Sequence, residues 1–150
     1  MKKASSFVLA VITLLLCLTA CETDKYKDYR ATNMQAKTFP TYYGDSIFNV
    51  GTVELITDYE IYSAYQFKLD YTESFFENNN LLVFIVQSCS SDQMKFVEVR
   101  EKDGVLYPLF ERRKIGEDEA VTDDIILSSY CVEISKECEY KVGRIIFNYK

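Results

Sequence analysis

Six consecutive apolar residues, Leu81 to Val86, constrain the fold of this chain more than any other stretch. They lie within the segment YTESFFENNNLLVFIVQS, residues 71–88. A strand with one face in water alternates apolar and polar side chains, and this run does not alternate. It is therefore predicted to be a central strand that is covered on both faces, with the rest of the chain packed around it.

The start of the chain has the anatomy of an export signal. Lys2 and Lys3 precede an apolar run, Phe7 to Leu18, that is too short to span a bilayer comfortably. Leu18-Thr19-Ala20-Cys21 then resembles the lipobox of bacterial lipoproteins. The resemblance implies that residues 1–20 are removed and that acylated Cys21 anchors the chain to membrane lipid on the extracytoplasmic side of the bacterial cell envelope. The alternatives are an ordinary secretory signal with a chance cysteine and an N-terminal membrane anchor.

Removing residues 1–20 from the 150 leaves 130, enough for one domain with a core. Residues 21–37 are charged and lack a sustained apolar period, so they are predicted to be a flexible tether, with a single domain over 38–150. Lys2 and Lys3 leave with the signal, so 15 basic residues face 23 acidic ones, a net charge of −8. This acidic balance argues against nucleic acid as a partner and against direct electrostatic attachment to anionic lipid.

Two helical segments are predicted before the central strand. Thr57-Asp58-Tyr59-Glu60 fits a capping box with Thr57 as the cap, so a helix is expected to begin there. Its apolar face would consist of Ile61, Tyr62, Tyr65 and Leu69. A second helical turn is predicted over 72–77, capped by Thr72, with Phe75 and Phe76 packed under the sheet.

Several strands are predicted after the central one. Met94 to Lys102 is expected to place Val97 and Val99 on one face and Phe96 on the other. Asp103-Gly104 is a strong hairpin signal, and the strand that follows it contains Pro108, which indicates an edge or a bulge. Two later strands each have one regular face, formed by Ile126, Ser128, Tyr130, Val132 and Ile134 and by Ile145, Phe147 and Tyr149. The sum predicts an α+β domain: one or two N-terminal helices packed on an antiparallel β-sheet of about five to six strands.

The second half of the chain resembles a known group. The order FFENNNLLVFIVQS, a small-residue loop, a hairpin built on EKDGVLY (residues 101–107) and a late strand SSYCVEISK is similar to small exported lipoproteins grouped with the C-terminal domain of PrcB, a protease complex subunit. The resemblance covers roughly residues 53–149. It implies a non-catalytic, membrane-anchored domain that accompanies a surface protease. Cys89-Ser90-Ser91, where glycine is common in the group, and Pro108 depart from the pattern.

The chemistry open to this chain is narrow. It contains no histidine, the commonest general base and transition-metal ligand. The thiols that remain after the signal and Cys21 are Cys89, Cys131 and Cys138; Cys131 could pair with Cys138 or with Cys89, and spacing does not choose between them. Buried inert thiols are favoured over a three-thiolate metal site. The serines at 88, 90 and 91 lack an evident base, and no Gly-rich phosphate loop is present.

One acidic loop offers oxygen ligands. Its carboxylates belong to Glu117, Asp118, Glu119, Asp123 and Asp124, and oxygen clusters of this kind bind calcium. The ligand alternation and central glycine of an EF-hand are missing, so a solvated loop is favoured. The sequence predicts no cofactor and no enzymatic activity. It favours a non-catalytic domain that binds an unidentified protein; the alternatives are a small-ligand or calcium-binding module and a weak enzyme that uses Cys89 or the acidic loop.

Overall fold

The apolar run forms the centre of a four-stranded antiparallel sheet. The structure is a computed structural model that describes residues 26–39, 50–65, 67, 69–92 and 94–150. In it, β4 (Asn79–Ser88) pairs with β3 (Val53–Ile56) on one side and with the full length of β7 (Ile126–Ser135) on the other. β2 (Ala36–Phe39) pairs with the far edge of β7. We call this sheet, in the order β2-β7-β4-β3, the middle sheet.

A second sheet packs on one face of the middle sheet. Its central strand, β6 (Val105–Arg112), pairs antiparallel with β5 (Met94–Lys102), which in turn pairs with β1 (Arg30–Ala31). The other side of β6 pairs in parallel with β8 (Lys141–Val142) and then β9 (Ile146–Tyr149). We call this the outer sheet.

Two short helices cover the opposite face of the middle sheet. They are α1 (Tyr59–Ala64) and α2 (Phe75–Asn78), and both lie between β3 and β4 in the chain. On β4, Leu82, Phe84 and Val86 pack toward the outer sheet, whereas Leu81, Val83 and Ile85 pack toward the helices. All six are buried, which confirms the prediction of a central strand covered on both faces.

The α+β prediction is confirmed only in its coarse form. The fold is mostly β: the described residues form nine strands in two sheets rather than one sheet of five to six. The predicted N-terminal helices are short and follow three strands. The physical reason is that β5, β6, β7 and β9 each carry an apolar face. Two small helices cannot cover that much apolar surface, whereas a second sheet can.

The predicted helix begins where expected, but its cap is different. Asp58 is the cap, because its Oδ1 accepts a hydrogen bond from the Ile61 amide at 2.8 Å, whereas Thr57 contacts only the Asp58 carboxylate. Asp competes well for this position because its charge strengthens the bond. Ile61 is consequently 40% exposed, so the prediction that it packs was wrong, while Tyr62 is buried.

The second helix also begins later than predicted. It starts at Phe75, and the side chain of Ser74, its cap residue, makes no capping hydrogen bond. The Thr72 carbonyl accepts from the Phe75 amide at 3.1 Å, but the Thr72 hydroxyl bonds to the Ser74 hydroxyl at 2.9 Å and not to a backbone amide of the helix, so its prediction as the cap was wrong. Phe76 is buried and Phe75 packs against the same cluster, as predicted.

A bulge changes which residues of β5 face the core. Phe96 pairs with Phe110 and Glu98 with Leu109, so Val97 is an extra residue in the ladder. Phe96 and Val99 therefore both pack in the core, and Val97 is exposed. The predicted alternation was wrong because one inserted residue reverses the faces of a strand.

The hairpin signal is confirmed and the proline is explained. Asp103 and Gly104 both have positive φ, at 53° and 74°, as a two-residue turn between Lys102 and Val105 requires. Pro108 does not mark an edge, since β6 is central in the outer sheet. The irregularity lies in the neighbouring segment. Leu106 pairs with Val142 and Leu109 with Ile146, so the segment from β8 to β9 has one more residue between these two pairs than β6 has. Pro108, which has no N–H to donate, therefore lies where the ladder of backbone hydrogen bonds is interrupted.

The predicted tether is shorter than 21–37. Residues 21–25 lie outside the described residues, but Tyr26 is only 9% exposed and packs against Leu109 and Ile146. Its hydroxyl donates to the Phe147 carbonyl at 3.3 Å, and its own carbonyl accepts from Arg100 at 2.7 Å. The domain therefore already includes Tyr26, and the boundary at 38 was wrong. Strands of two and four residues are too short to produce a periodic pattern in the sequence.

We predict that Gly143→Ala lowers the free energy of unfolding by about 1–3 kcal/mol, the usual cost of overpacking. A Cβ at Gly143 would overlap the ring of Tyr107, which is partly buried. In a Tyr107→Ala background the same substitution should cost less, and Gly116→Ala, where a Cβ meets open space, should change little. Urea denaturation of these variants measures the difference; equal costs of Gly143→Ala in both backgrounds would refute the clash.

Candidate functional site

The candidate residues from the sequence converge at one end of the two sheets. β4 ends there, β5 and β7 begin there, and β6 and β9 end there. We call this region the loop end; it consists of residues 89–92, 113–126 and 149–150, with Val50 beside them just before β3. It contains Cys89, the serines at 90 and 91, and all five carboxylates of the acidic loop.

Ser90 and Asp124 hold two loops of this region together. The Ser90 amide lies 3.1 Å from each carboxylate oxygen of Asp124, and the Ser90 hydroxyl also donates to that carboxylate. These hydrogen bonds, led by that of the Ser90 hydroxyl, lower the pKa of Asp124 from 3.8 to about 2. A carboxylate with so low a pKa is a poor general base, so the pair acts as a latch rather than as an activated nucleophile.

Ser91 and Cys89 are hydrogen-bonded within the same cluster. Ser91 Oγ accepts from the Thr122 amide at 3.1 Å and lies 3.3 Å from Cys89 Sγ. The contact with Ser91 lowers the pKa of the Cys89 thiol. Within this cluster, Arg113 contacts only the Ser91 carbonyl, which accepts from its guanidinium at 3.4 Å. Within the described part of the chain, no cation hydrogen-bonds to the Ser90, Ser91 or Cys89 side chains.

We predict that Asp124→Asn frees the acidic loop without unfolding the domain. The substitution removes the charge that accepts from Ser90, so limited proteolysis should cut residues 113–125 faster than in the wild type. Asp123→Asn is the matched control, since Asp123 has no hydrogen bond or ion pair with the other described residues. Equal cleavage of the two variants would contradict the latch.

Acid should also free the acidic loop of the wild type, because it protonates Asp124. Because the folded-state pKa of Asp124 is depressed, the stabilisation that its carboxylate gives to the two joined loops is complete above pH 3.8 and is lost as the pH falls through about 2.

The five acidic-loop carboxylates are not gathered into a calcium site. Glu119 pairs with Arg113, which lowers the Glu119 pKa, and also accepts from the Gly116 amide at 3.4 Å. Asp124 is bound to Ser90 instead. In the regions that the structure describes, no group of three or more His, Cys, Asp or Glu side chains could hold a metal ion. The candidate set Glu117, Asp118, Glu119, Asp123 and Asp124 is thus adjacent in sequence without forming a cage.

The three thiols are free and lie in different places. Cys131 is buried between the middle sheet and the helices, where burial raises its pKa; its Sγ lies 4.0 Å from Tyr71 Oη. Cys89 is partly exposed at the loop end, and Cys138 is exposed beyond the opposite end of β7. Neither of the two pairings considered from the sequence is formed, and only Cys131 fits the description of a buried inert thiol.

A basic groove lies beside the latch, and the sequence reasoning missed it. Two adjoining depressions of about 590 and 420 Å³ share Arg112, Arg113 and Lys150. We define the basic groove by its five cations: Lys95, Arg112, Arg113, Lys114 and Lys150. The available signal was the basic run Arg112-Arg113-Lys114, which the acidic net charge concealed.

Only part of this positive charge is neutralised. Arg112 binds Asp92 through two contacts of 3.0 and 2.7 Å, which raise the Arg112 pKa, and Lys150 pairs with Glu111 at 2.7 Å. Arg113 pairs with Glu119. Lys95 and Lys114 have no acidic partner among the residues that are described. Two cations are therefore available to an anionic ligand.

Exposed apolar side chains are concentrated at the loop end, and one of them, Tyr149, lines the groove. Of the eight large hydrophobic residues that are exposed in the described regions, five are at the loop end: Val50, Val121, Ile125, Ile126 and Tyr149. A concentration of exposed apolar side chains is typical of surfaces that bind other molecules.

Comparison with known proteins adds no relative. No family model, no curated protein and no solved structure matches this chain. Within the described ranges, no helix has the length and apolar character needed to cross a membrane.

Proposed function

We propose that this chain is a lipid-anchored protein of the bacterial cell envelope whose exported domain binds another protein at the loop end and catalyses no reaction. The observation that carries the proposal is the composition of that end: the side chains of Cys89, Ser90, Ser91 and Asp124 are held in hydrogen bonds, while apolar side chains and two lysines remain exposed. The resemblance to the PrcB group supports the same assignment, with a surface protease or another envelope complex as the companion.

The partner surface that fits the basic groove is acidic, and apolar side chains on the partner fit the exposed apolar residues of the loop end. Five of the 15 cations that remain after signal removal line one groove of a chain whose net charge is −8. A basic groove on an acidic protein directs association, because like charges elsewhere on the molecule repel an acidic partner from other approaches. Against the alternative of a calcium-binding module stands the spread of the acidic-loop carboxylates, which form no metal-binding group within the described residues.

Site-specific photo-crosslinking in intact cells tests the binding surface. Benzoylphenylalanine at Ile126, which is 41% exposed at the loop end, should give a discrete crosslinked product. The matched control is Ile61, which is 40% exposed on α1 and should give none. Lys95→Glu with Lys114→Glu should reduce the Ile126 product severalfold, because two attractive charges become repulsive. Equal products at the two sites, or a yield indifferent to the charge reversal, would refute the proposal.

Metabolic labelling with a fatty acid tests the anchor. The wild type should incorporate the label and fractionate with membranes, whereas Cys21→Ser should do neither, because the acylated thiol is absent. Label that persists in Cys21→Ser would refute lipidation at this residue.

A further inference from the structure

We infer that the outer face of the outer sheet lies against the headgroups of the bilayer, with the helices directed away from it. The inference rests on the proposed acylation of Cys21. The occupant of this face is therefore a lipid surface, and the argument for it is the length of chain between the anchor and the first described residue.

Only five peptide steps separate Cys21 from Tyr26. Fully extended, five residues span about 17 Å. A domain of about 125 residues is about 36 Å across, on the usual relation between chain length and radius of gyration. The side of the domain that carries Tyr26 can reach the membrane surface, and the opposite side cannot.

Tyr26 is fixed on the outer face of the outer sheet. It packs with Leu109 and Ile146, whose neighbours Phe110 and Phe147 face the core between the sheets. Its ring also contacts Tyr29 at 5.4 Å, and Tyr29 contacts Tyr107 at 5.1 Å. Together with the hydrogen bonds to Phe147 and Arg100, these contacts fix the point at which the chain that leads to Cys21 leaves the domain.

The chemistry of this face suits a headgroup layer. Tyr29 and Tyr107 are partly exposed, and Lys102 Nζ lies 5.0 Å from the centre of the Tyr29 ring. Lys27 is exposed in the same segment as Tyr29, and Arg30, also exposed, pairs with Glu101 at 2.9 Å. Tyrosine rings with neighbouring cations are enriched where membranes meet water, because one part of the ring is apolar and the hydroxyl stays hydrated.

The absence of tryptophan from the sequence permits a direct test. Val97→Trp places a single indole on the outer face, and Tyr59→Trp places one on α1; the native residues are 39% and 40% exposed, so the two sites are matched. The acylated mature protein is reconstituted into phosphatidylcholine–phosphatidylglycerol vesicles that contain a lipid with a nitroxide on its headgroup. The indole on the outer face should lose about half of its emission or more, since it lies at headgroup depth, and the indole on α1 should keep nearly all of it.

Flotation of the vesicles separates the two proposals. Protein that floats with equal quenching in the two variants, or with stronger quenching in Tyr59→Trp, refutes the orientation and leaves the anchor intact. Wild-type protein that fails to float refutes the anchor, and the orientation with it. Cys21→Ser is the control for both, because it should remain with the soluble fraction.

Discussion

Phe84→Ala is expected to lower the free energy of unfolding by about 3–5 kcal/mol, the range for deleting a buried phenylalanine side chain. Phe84 is fully buried on β4, where its ring stacks on Tyr130 at 5.4 Å and contacts Phe96 at 5.7 Å and Phe110 at 6.1 Å. The substitution therefore opens a cavity where the two sheets meet. Since whole domains are stable by only about 5–15 kcal/mol, this loss is a large share of the free energy of unfolding.

Urea denaturation followed by tyrosine fluorescence measures this loss. The matched control is Tyr149→Ala, which removes an aromatic ring that is exposed at the end of β9 and should change stability by about 0.5 kcal/mol or less. A similar midpoint shift for the two variants would mean that Phe84 does not join the sheets. An altered denaturant slope would indicate a change in the unfolded state instead.

Arg112→Ala is expected to cost nearly as much, about 3–5 kcal/mol, because it leaves a buried carboxylate without its partner. The side chain of Asp92 is only 1% exposed; its Oδ1 accepts a hydrogen bond from Arg112 Nε at 3.0 Å, and its Oδ2 lies 2.7 Å from Arg112 Nη2. Arg112 also lies over the ring of Phe147 at 5.8 Å. Asp92→Ala should cost less, since the Arg112 side chain is 33% exposed and water can solvate its charge.

A double-mutant cycle on the two residues checks the asymmetry. The Asp92→Ala/Arg112→Ala variant should lose less than the sum of the single variants, because neither charge is then left alone. Lys150→Ala is the control for an exposed pair and should cost at most about 1 kcal/mol. A loss for Asp92→Ala that exceeds that for Arg112→Ala would show that the arginine, not the carboxylate, depends on the pair.

Local signals in the sequence predicted the features that local chemistry determines. The unbroken run Leu81–Val86 specified a doubly covered strand, and Asp103-Gly104 specified the hairpin, because both depend on neighbouring residues alone. The extra residue at Val97 and the interrupted ladder beside Pro108 depend on which strand pairs with which. Tyr26 and Tyr29 look like part of a tether for the same reason: their partners are distant in the chain, among them Arg100, which is 74 residues from Tyr26.

The candidate site was predicted in pieces. Sequence reasoning singled out Cys89 with its serines and the acidic loop as separate possibilities, and the structure joins them through Ser90 and Asp124, which are 34 residues apart. It overlooked Arg112-Arg113-Lys114 because an average over the chain conceals a local excess of one charge. The pairing of Arg112 with Asp92 depends on the turn between β4 and β5 and could not be inferred from spacing.

Because β4 belongs to both cores while the helices touch only one, the protein can lose its helical cover and keep its two sheets. Helices of six and four residues are not stable in water unless they pack against another part of the protein. Loss of the helices would expose the apolar side chains of Leu81, Val83 and Ile85 on a sandwich that is otherwise intact. Copies that have lost the helices would then associate through these side chains before the sandwich itself unfolds.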